Sequence, residues 1–461
     1  MESLLNDALG KNKVHESGSP FHDHTQDGKY ILETAERRKN FSESQDSLVM
    51  TSRSEQPEKY FPNSSHVAEL TLGDFAPSST VFMDQTALFP LYACHSWKGA
   101  PALGPFSLPH VHQLPPQSVA LELIDEAFTS YNNFFPLFNK DDFLAQFDQN
   151  YVVSSPSDPA WWACINVVLA LAHRFRGMRD LNNIVYENAQ SCGHMHNALA
   201  VVSELNILQN SLSAVQALVG MALILRSTPN PHSSSVLIAA AVRLGQAMGL
   251  HRKTDGQIPG EESHEQRRRV FWIAYFLDKD ISLRTSQPFA QDDGDMDADL
   301  PSEALLDVPP YRNGNCGSLT FNIFNSRIGL AIIQGQIYKK LYSVQASQQS
   351  GLQRAIVAQE LNTLLSYWRS SVPIDIEYTA PPHNILAAEM IHMLVLRFTY
   401  VNCLIMIDRH LPPPEQLLTG PAFEVQEGGP LAMQESICIN ESRKALSLIE
   451  VTPRGDYALV W

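Results

Sequence analysis

Residues 265–301 read EQRRRVFWIAYFLDKDISLRTSQPFAQDDGDMDADLP, and the two halves of this stretch obey different physics. After Arg267, Arg268 and Arg269 comes an unbroken apolar and aromatic run from Val270 to Leu277. A helix this hydrophobic on every side cannot face solvent, so it is expected inside a helical layer, covered by neighbours. Stop signals follow at Ser286 and Pro288, and then Asp292, Asp293, Asp295, Asp297 and Asp299 lead to Leu300 and Pro301. Like charge at that density does not continue an ordinary helix. The stretch therefore predicts a buried helix that ends in an acidic elbow.

Working outward, the same helical period recurs on both sides. Toward the N-terminus it predicts helices over 234–248, 211–226 and 181–208. Gly249 stands where a left-handed residue ends the first of these. Residues 161–172 form a further core helix, whose end His173, Arg174 and Arg176 would mark as cations at the negative pole of its dipole. The pattern opens with Val119, Leu123, Ala127 and Phe128, then an aromatic turn over 134–138 and a helix containing Phe143. Toward the C-terminus, helices are expected over 321–343, 352–368, 385–408 and 431–450, with Pro373, Pro381, Pro382 and Pro412 to Pro414 as breaks. No strand ladder is visible. The fold class is all-α: one large multi-helix domain of stacked helix pairs over 117–461. It is preceded by an arm over 1–116 that is rich in Ser, His and Pro and lacks the apolar period needed to offset its ordering entropy.

Composition bounds the chemistry. A net charge of −16 over 461 residues argues against an unaided reader of nucleic acid, which draws its affinity from Lys and Arg on phosphates. Cys94, Cys164, Cys192, Cys316, Cys403 and Cys438 include no C-x-x-C pair, and most of them read as reduced core thiols of an intracellular protein. Residues 1–20 are polar and carry no secretory signal. Of two apolar stretches, 161–172 is too short to span a bilayer, and 391–407 is interrupted by His392, Arg397 and Asn402. Both read as buried helices of a soluble protein, with no membrane partner.

The segments Arg268-Arg269-Val270-Phe271-Trp272, Tyr275-Phe276, Asp278, Ser282-Leu283-Arg284 and Pro288, followed by Asp293 and the closing Leu300-Pro301, together resemble the central signature of the fungal-specific transcription factor domain. That domain is the regulatory region of the fungal zinc binuclear cluster regulators. Ser213 to Leu218, Ala241 to Leu244 with Gly249 to Arg252, and Glu441 to Leu446 extend the resemblance in the same order over about 117–461. The turn departs from the family pattern, with Ser286 where the family favours Gly and Gln287 where it often has Arg.

The resemblance implies a nuclear regulator of transcription, not an enzyme, whose helices transmit regulatory input and hold surfaces for coregulators. The family's cluster needs six closely spaced cysteines, so its zinc ligands are expected to be absent and no cofactor is expected in this chain. DNA contact would then be indirect, through a zinc-cluster relative. The other readings are an interaction protein that competes with full-length relatives, and a helical enzyme, for which no catalytic constellation is visible. The family's later helices are also expected to be missing. Ile437, Ile439, Leu446, Leu448, Ile449 and the apolar end over 457–461 would then be uncovered, inviting self-association.

Other chemistry fits poorly. Asp293, Asp295 and Asp297 alternate as calcium ligands do, but Ala298 and Ala304 replace the glycine and the bidentate glutamate that such a loop requires. They are expected instead to answer Arg267 to Arg269 and Arg284. The pairs His22/His24, His110/His112 and His194/His196 have i, i+2 spacing, which on a helix points the two rings apart. Phe271, Trp272, Tyr275 and Phe276 read as core packing in preference to an effector pocket. The three arginines read as a solvated helix start in preference to an import signal.

Overall fold

Side-chain caps set the starts of several helices. The computed structural model describes residues 111–151, 158–180, 182–207, 209–226, 232–253, 261–302, 323–372, 387–411 and 430–448. The arm over 1–110, Ala304, Cys94, Cys316 and the apolar end over 457–461 lie outside them. Helix α1 (Gln117–Ala127) runs into a wider π-turn, Phe128–Asn132. Asn139 caps α2 (Lys140–Asn150), its side chain accepting from Asp142 N, and Asp158 caps α3 (Pro159–Arg179), whose first residue is a proline with no amide to satisfy. There follow α4 (Ile184–Ala200), α5 (Val202–Ile207), α6 (Leu212–Leu225, capped by Ser211), α7 (His232–Ala247) and α8 (Glu261–Thr285). After a 3-10 turn at Asp293–Asp295 come α9 (Ile323–Ile337), α10 (Val344–Ser347), α11 (Gly351–Ser371), α12 (Ala387–Asp408) and α13 (Pro430–Leu448). Among the described residues there is no strand.

The helices pack as sequential pairs, α3 on α4, α6 on α7, α8 on α9 and α12 on α13, and the pairs share one continuous core running from Leu114 to Ala445. Helices α3, α6 and α9 are buried on nearly every side, and Val270 to Leu277 of α8 are at most 5% exposed. Their sequences carry no polar face because they have no solvent to meet. The window Ile391–Asp408 of α12 is long and apolar enough to cross a membrane by composition, yet 78% of it is buried in this core.

Two expectations are corrected. Helix α3 runs on to Arg179, so Arg176 lies in its last turn as expected, but His173 and Arg174 are interior, with Arg174 donating to Ile224 O at 3.1 Å and His173 Nδ1 2.6 Å from Glu187 Oε2. Partners on α4 and α6 satisfy charges that would otherwise need the helix terminus. The helix expected over 181–208 is two helices, broken at Val201, whose N–H reaches back to Ala198 O at 3.4 Å. The adjacent β-branched Val201 and Val202 crowd the preceding turn.

The aromatic turn before α2 is held by side-chain amides. Gln216 of α6 and Gln266 of α8 both donate to Leu137 O, at 2.6 and 2.8 Å. On α13, Ile437, Ile439 and Leu446 are 44, 43 and 62% exposed.

Candidate functional site

The acidic elbow is a strap held to α8 by the residues that α8 turns toward it. Two helical turns of α8 present Trp272, Tyr275, Asp278 and Lys279, all at most 3% exposed. The Trp272 indole donates to Asp299 O at 2.8 Å and the Tyr275 hydroxyl to Asp293 Oδ1 at 2.9 Å. Asp278 accepts the amides of Ala290 and Gln291, each at 3.0 Å. Burial pushes its carboxyl up, and those two N–H groups oppose the shift. Lys279 donates to Gln291 O at 2.6 Å, pairs with Asp293 at 2.9 Å and lies 3.3 Å from the centre of the Phe289 ring. Burial holds the Lys279 ammonium below its ordinary range, with Asp293 offsetting part of the effect. Helix α9 can pass this close because it has Gly335 there: a Cβ would meet the Lys279 chain at 3.3 Å.

The ends of the strap are fixed as firmly. Glu265 pairs with Arg268 and Arg269 and accepts the amide of Ser302 at 2.9 Å, next to the buried Pro301. The amides of Asp297 and Ala298 donate to His251 O, while Asp297 accepts the amide of Lys253 at 2.7 Å. Arg267 covers the C-terminus of α7, donating to Met248 O at 2.9 Å. The elbow acids therefore do not answer Arg267 to Arg269 and Arg284, as the sequence suggested. Asp292 meets Lys339, Asp293 Lys279, Asp297 Arg252 and Asp299 Lys253, because the strap runs beside α7 and a π-turn, Tyr338–Tyr342, that follows α9. The Gly294 amide, then Lys339, lowers Asp292 below the usual carboxylate range.

On the far side of α8, Asp280 receives Arg226 at 2.9 Å, Arg284 at 3.0 Å and Gln334 at 3.1 Å. Burial alone would raise this carboxyl, but Arg284 and Arg226 bring it below its ordinary value. Phe271 and Phe276 pack in the core, and Ser282 accepts through its carbonyl from the Gln287 amide. Pro288 and Phe289 border a cleft of about 780 Å3 whose other walls include Arg243, His251, Asp292 and Lys339. Lys279, Asp280, Glu265 and Gln291 escaped the sequence reading. The signal that could have found the first two was the charged triplet Asp278-Lys279-Asp280 inside an otherwise apolar helix, which needs buried partners.

The turn after α8 explains the departure at Ser286. Its φ is +53°, and the amides of Ser286 and Gln287 reach Leu283 O and Ser282 O, the paired bonds of a left-handed helix stop. Gly249 closes α7 the same way at φ +70°. One of the two stops has the residue that such a φ favours, and the other does not.

A second cleft, of about 850 Å3, lies where residues 111–116 cross α4. His112 exchanges backbone bonds with the Asn197 side chain at 2.9 and 2.8 Å. Its ring meets that of the buried His194 edge-on at 4.6 Å, and His194 stacks on His173 at 5.6 Å. Burial, then His112 and His173, pushes His194 down to about 3. His196 is exposed where His194 is buried, and both border this cleft. Among the described residues no group of three His, Cys, Asp or Glu could hold a metal ion. The four described cysteines, Cys164, Cys192, Cys403 and Cys438, belong to four different helices, and burial raises the Cys164 and Cys403 thiols well above their usual range. They do not fit the closely spaced ligands of a zinc cluster.

A family model, the fungal specific transcription factor domain, matches residues 126–370, a span that includes α8, its strap and the helices around them. The ABC-transporter-regulating transcription factor of Aspergillus oryzae is 39% identical over 364 residues, covering 76% of this chain and 40% of that protein. The Fusaridione A cluster transcription factor of Fusarium heterosporum is 31% identical, over 74% of this chain and 63% of its own length. A transcriptional regulatory protein of Schizosaccharomyces pombe is 27% identical over 74% of this chain and 50% of that protein. The chain thus spans between about two fifths and two thirds of the length of these relatives. No solved structure matches it. With more than half of its residues inside the matched model, α8 and its strap among them, the chain belongs to the family of proteins that carry the fungal specific transcription factor domain.

Proposed function

We propose that this chain acts in fungal transcription regulation as the helical regulatory domain, by binding and not by catalysis, in the nucleus. The observation that supports this reading is the family match over residues 126–370, in relatives that are themselves named transcription factors. DNA contact falls to a zinc cluster supplied by a partner or by sequence beyond these 461 residues. The described cysteines have no such arrangement, and a net charge of −16 gives the chain no electrostatic grip on phosphates. Its partners are coregulators and a cluster-bearing relative. The exposed Ile437, Ile439 and Leu446 of α13 offer a surface for one of them or for a second copy.

Chromatin occupancy of the tagged chain, with and without a cluster-bearing relative, tests this reading, together with a reporter assay of the chain fused to an unrelated DNA-binding module. Occupancy that depends on the relative, and a fusion that changes reporter output, are the expected results. A fusion without effect on the reporter, with no occupancy in either background, would overturn it.

A further inference from the structure

The cleft beside residues 111–116 has hydrogen-bond acceptors whose protonation the surrounding bonds fix. The Asn197 carboxamide accepts from the His112 N–H through Oδ1 and donates from Nδ2 to His112 O, which settles its orientation. The same Nδ2 donates to Asn166 Oδ1 at 2.9 Å, and Asn166 Nδ2 donates to Trp162 O at 2.9 Å. Asn166 Oδ1 is therefore an acceptor, and His194 Nδ1, 2.9 Å from it, carries the proton. Burial, then His112 and His173, keeps His194 neutral at pH 7, so its Nε2 retains a lone pair. His173 is held in the same way. Its Nδ1 is 2.6 Å from Glu187 Oε2, and burial keeps the ring neutral despite that carboxylate.

Neither Nε2 has a hydrogen-bond partner among the described residues, although His173 is 6% and His194 1% exposed. Both residues border the cleft, with their rings nearly parallel, at 15°, and the ring centres 5.6 Å apart. One ammonium nitrogen making ordinary hydrogen bonds reaches acceptors up to about 6 Å from each other. The charges of the walls are unequally answered. Among the described residues that border the cleft, Glu187 is the only acid and Arg176 the only arginine or lysine. Arg176 directs Nε and Nη2 to Glu126, at 2.7 and 2.8 Å, and Glu126 is not among the walls. Glu187 has only a neutral imidazole as its bonded partner. The open rim is apolar: Val111, Val119 and Tyr186 are 57, 37 and 60% exposed.

We propose that this cleft is a binding site for a small organic cation, a protonated primary amine with an apolar or aromatic body, which donates to Glu187 and to Nε2 of His194 and His173. An ammonium has three N–H donors and no acceptor, the complement of three acceptors in one wall, and its charge answers the Glu187 carboxylate. Val111, Val119 and Tyr186 receive the body. Residues 111–116 form another wall, so an occupant would hold them against α4. The site is separate from the strap, and its occupancy does not depend on the role proposed above.

The test is a thermal-shift titration of the full chain with benzylamine hydrochloride at pH 7, sodium chloride holding the ionic strength constant, with neutral benzyl alcohol as the control. A ligand that binds only the folded state raises Tm with its concentration. Benzylamine is expected to raise Tm and benzyl alcohol to leave it unchanged. A net charge of −16 attracts any cation, so two variants assign the effect to the cleft. Glu187→Gln keeps an acceptor for His173 and removes the charge, and it should weaken the benzylamine response about tenfold, the worth of one hydrogen bond to a charged group. His194→Phe keeps the ring contacts, leaves Asn166 Oδ1 its Asn197 donor and removes one acceptor, and it should weaken the response as well. Should His194→Phe fail to fold, the Glu187→Gln titration alone decides. A wild-type chain indifferent to benzylamine, as expected if water alone fills the cleft, would overturn the proposal. An equal shift with benzyl alcohol, or a Glu187→Gln response equal to that of wild type, would do the same.

Discussion

The Lys279 ammonium lies 2.9 Å from Asp293 Oδ1 and 2.6 Å from Gln291 O, with its side chain wholly buried. This buried cation is thus spent on holding the strap down. Lys279→Met keeps most of the packing volume but leaves Asp293, whose side chain is 12% exposed, without its charge partner. The expected loss is about 3 kcal/mol or more, since breaking a buried pair costs more than the pair contributes. Urea denaturation measures it. A loss below about 1 kcal/mol, within the range of exposed pairs, would show that solvent carries the Asp293 charge.

The two left-handed helix stops should respond in opposite directions. Gly249→Ala puts a Cβ where nothing lies within 4 Å, so its cost is backbone strain alone, about 1 kcal/mol. Ser286→Gly relieves the same strain at φ +53° and should stabilise by up to about 1 kcal/mol, offset in part by glycine's greater freedom in the unfolded chain. Paired denaturation curves decide whether the signs differ.

Most of the fold was legible because a helix announces itself by the period of its apolar residues. The run from Val270 to Leu277 has no polar face, and it is buried as that absence requires. Gly249 was legible for the same kind of reason, a local one. What escaped were facts of the third dimension. His173 and Arg174 look like terminal cations in one dimension, yet Glu187 and the Ile224 carbonyl come to them from other helices. The strap's counter-ions, Lys253, Lys279 and Lys339, are separated from their acids by 14 to 47 positions, and nothing in the elbow itself names them. Lys279 and Asp280 announce only that partners must exist.

Trp272 separates packing from hydrogen bonding. Trp272→Ala should cost about 3–5 kcal/mol, the range for a fully buried aromatic residue. Trp272→Phe retains much of the ring but leaves Asp299 O without its donor, and should cost less, with the damage confined to the strap. Limited proteolysis near Asp299 in the Phe variant, with a near-native Tm, is the expected signature.

His194 makes stability depend on pH. Its folded value of about 3 lies below the 6.5 of an ordinary imidazole, so between these limits the unfolded chain binds the extra proton. The stabilisation from keeping His194 neutral is therefore complete above about pH 6.5 and is lost as the pH falls toward 3, by at most about 1.4 kcal/mol per pH unit. His112, His173, Glu187 and Asn166 surround it and stay in place in His194→Gln. That variant should show a shallower fall between pH 7 and 5 than wild type. Equal slopes would place the proton uptake elsewhere.

The oxygen of Leu137 accepts from Gln216 and Gln266 together, so both of its lone pairs are spent on side chains from two helices. No water can take the place of one amide without the bond being broken first. The aromatic turn, α6 and the second turn of α8 are thereby tied at a single atom, and amide exchange in the three segments should share one opening free energy, rising and falling as one cooperative unit.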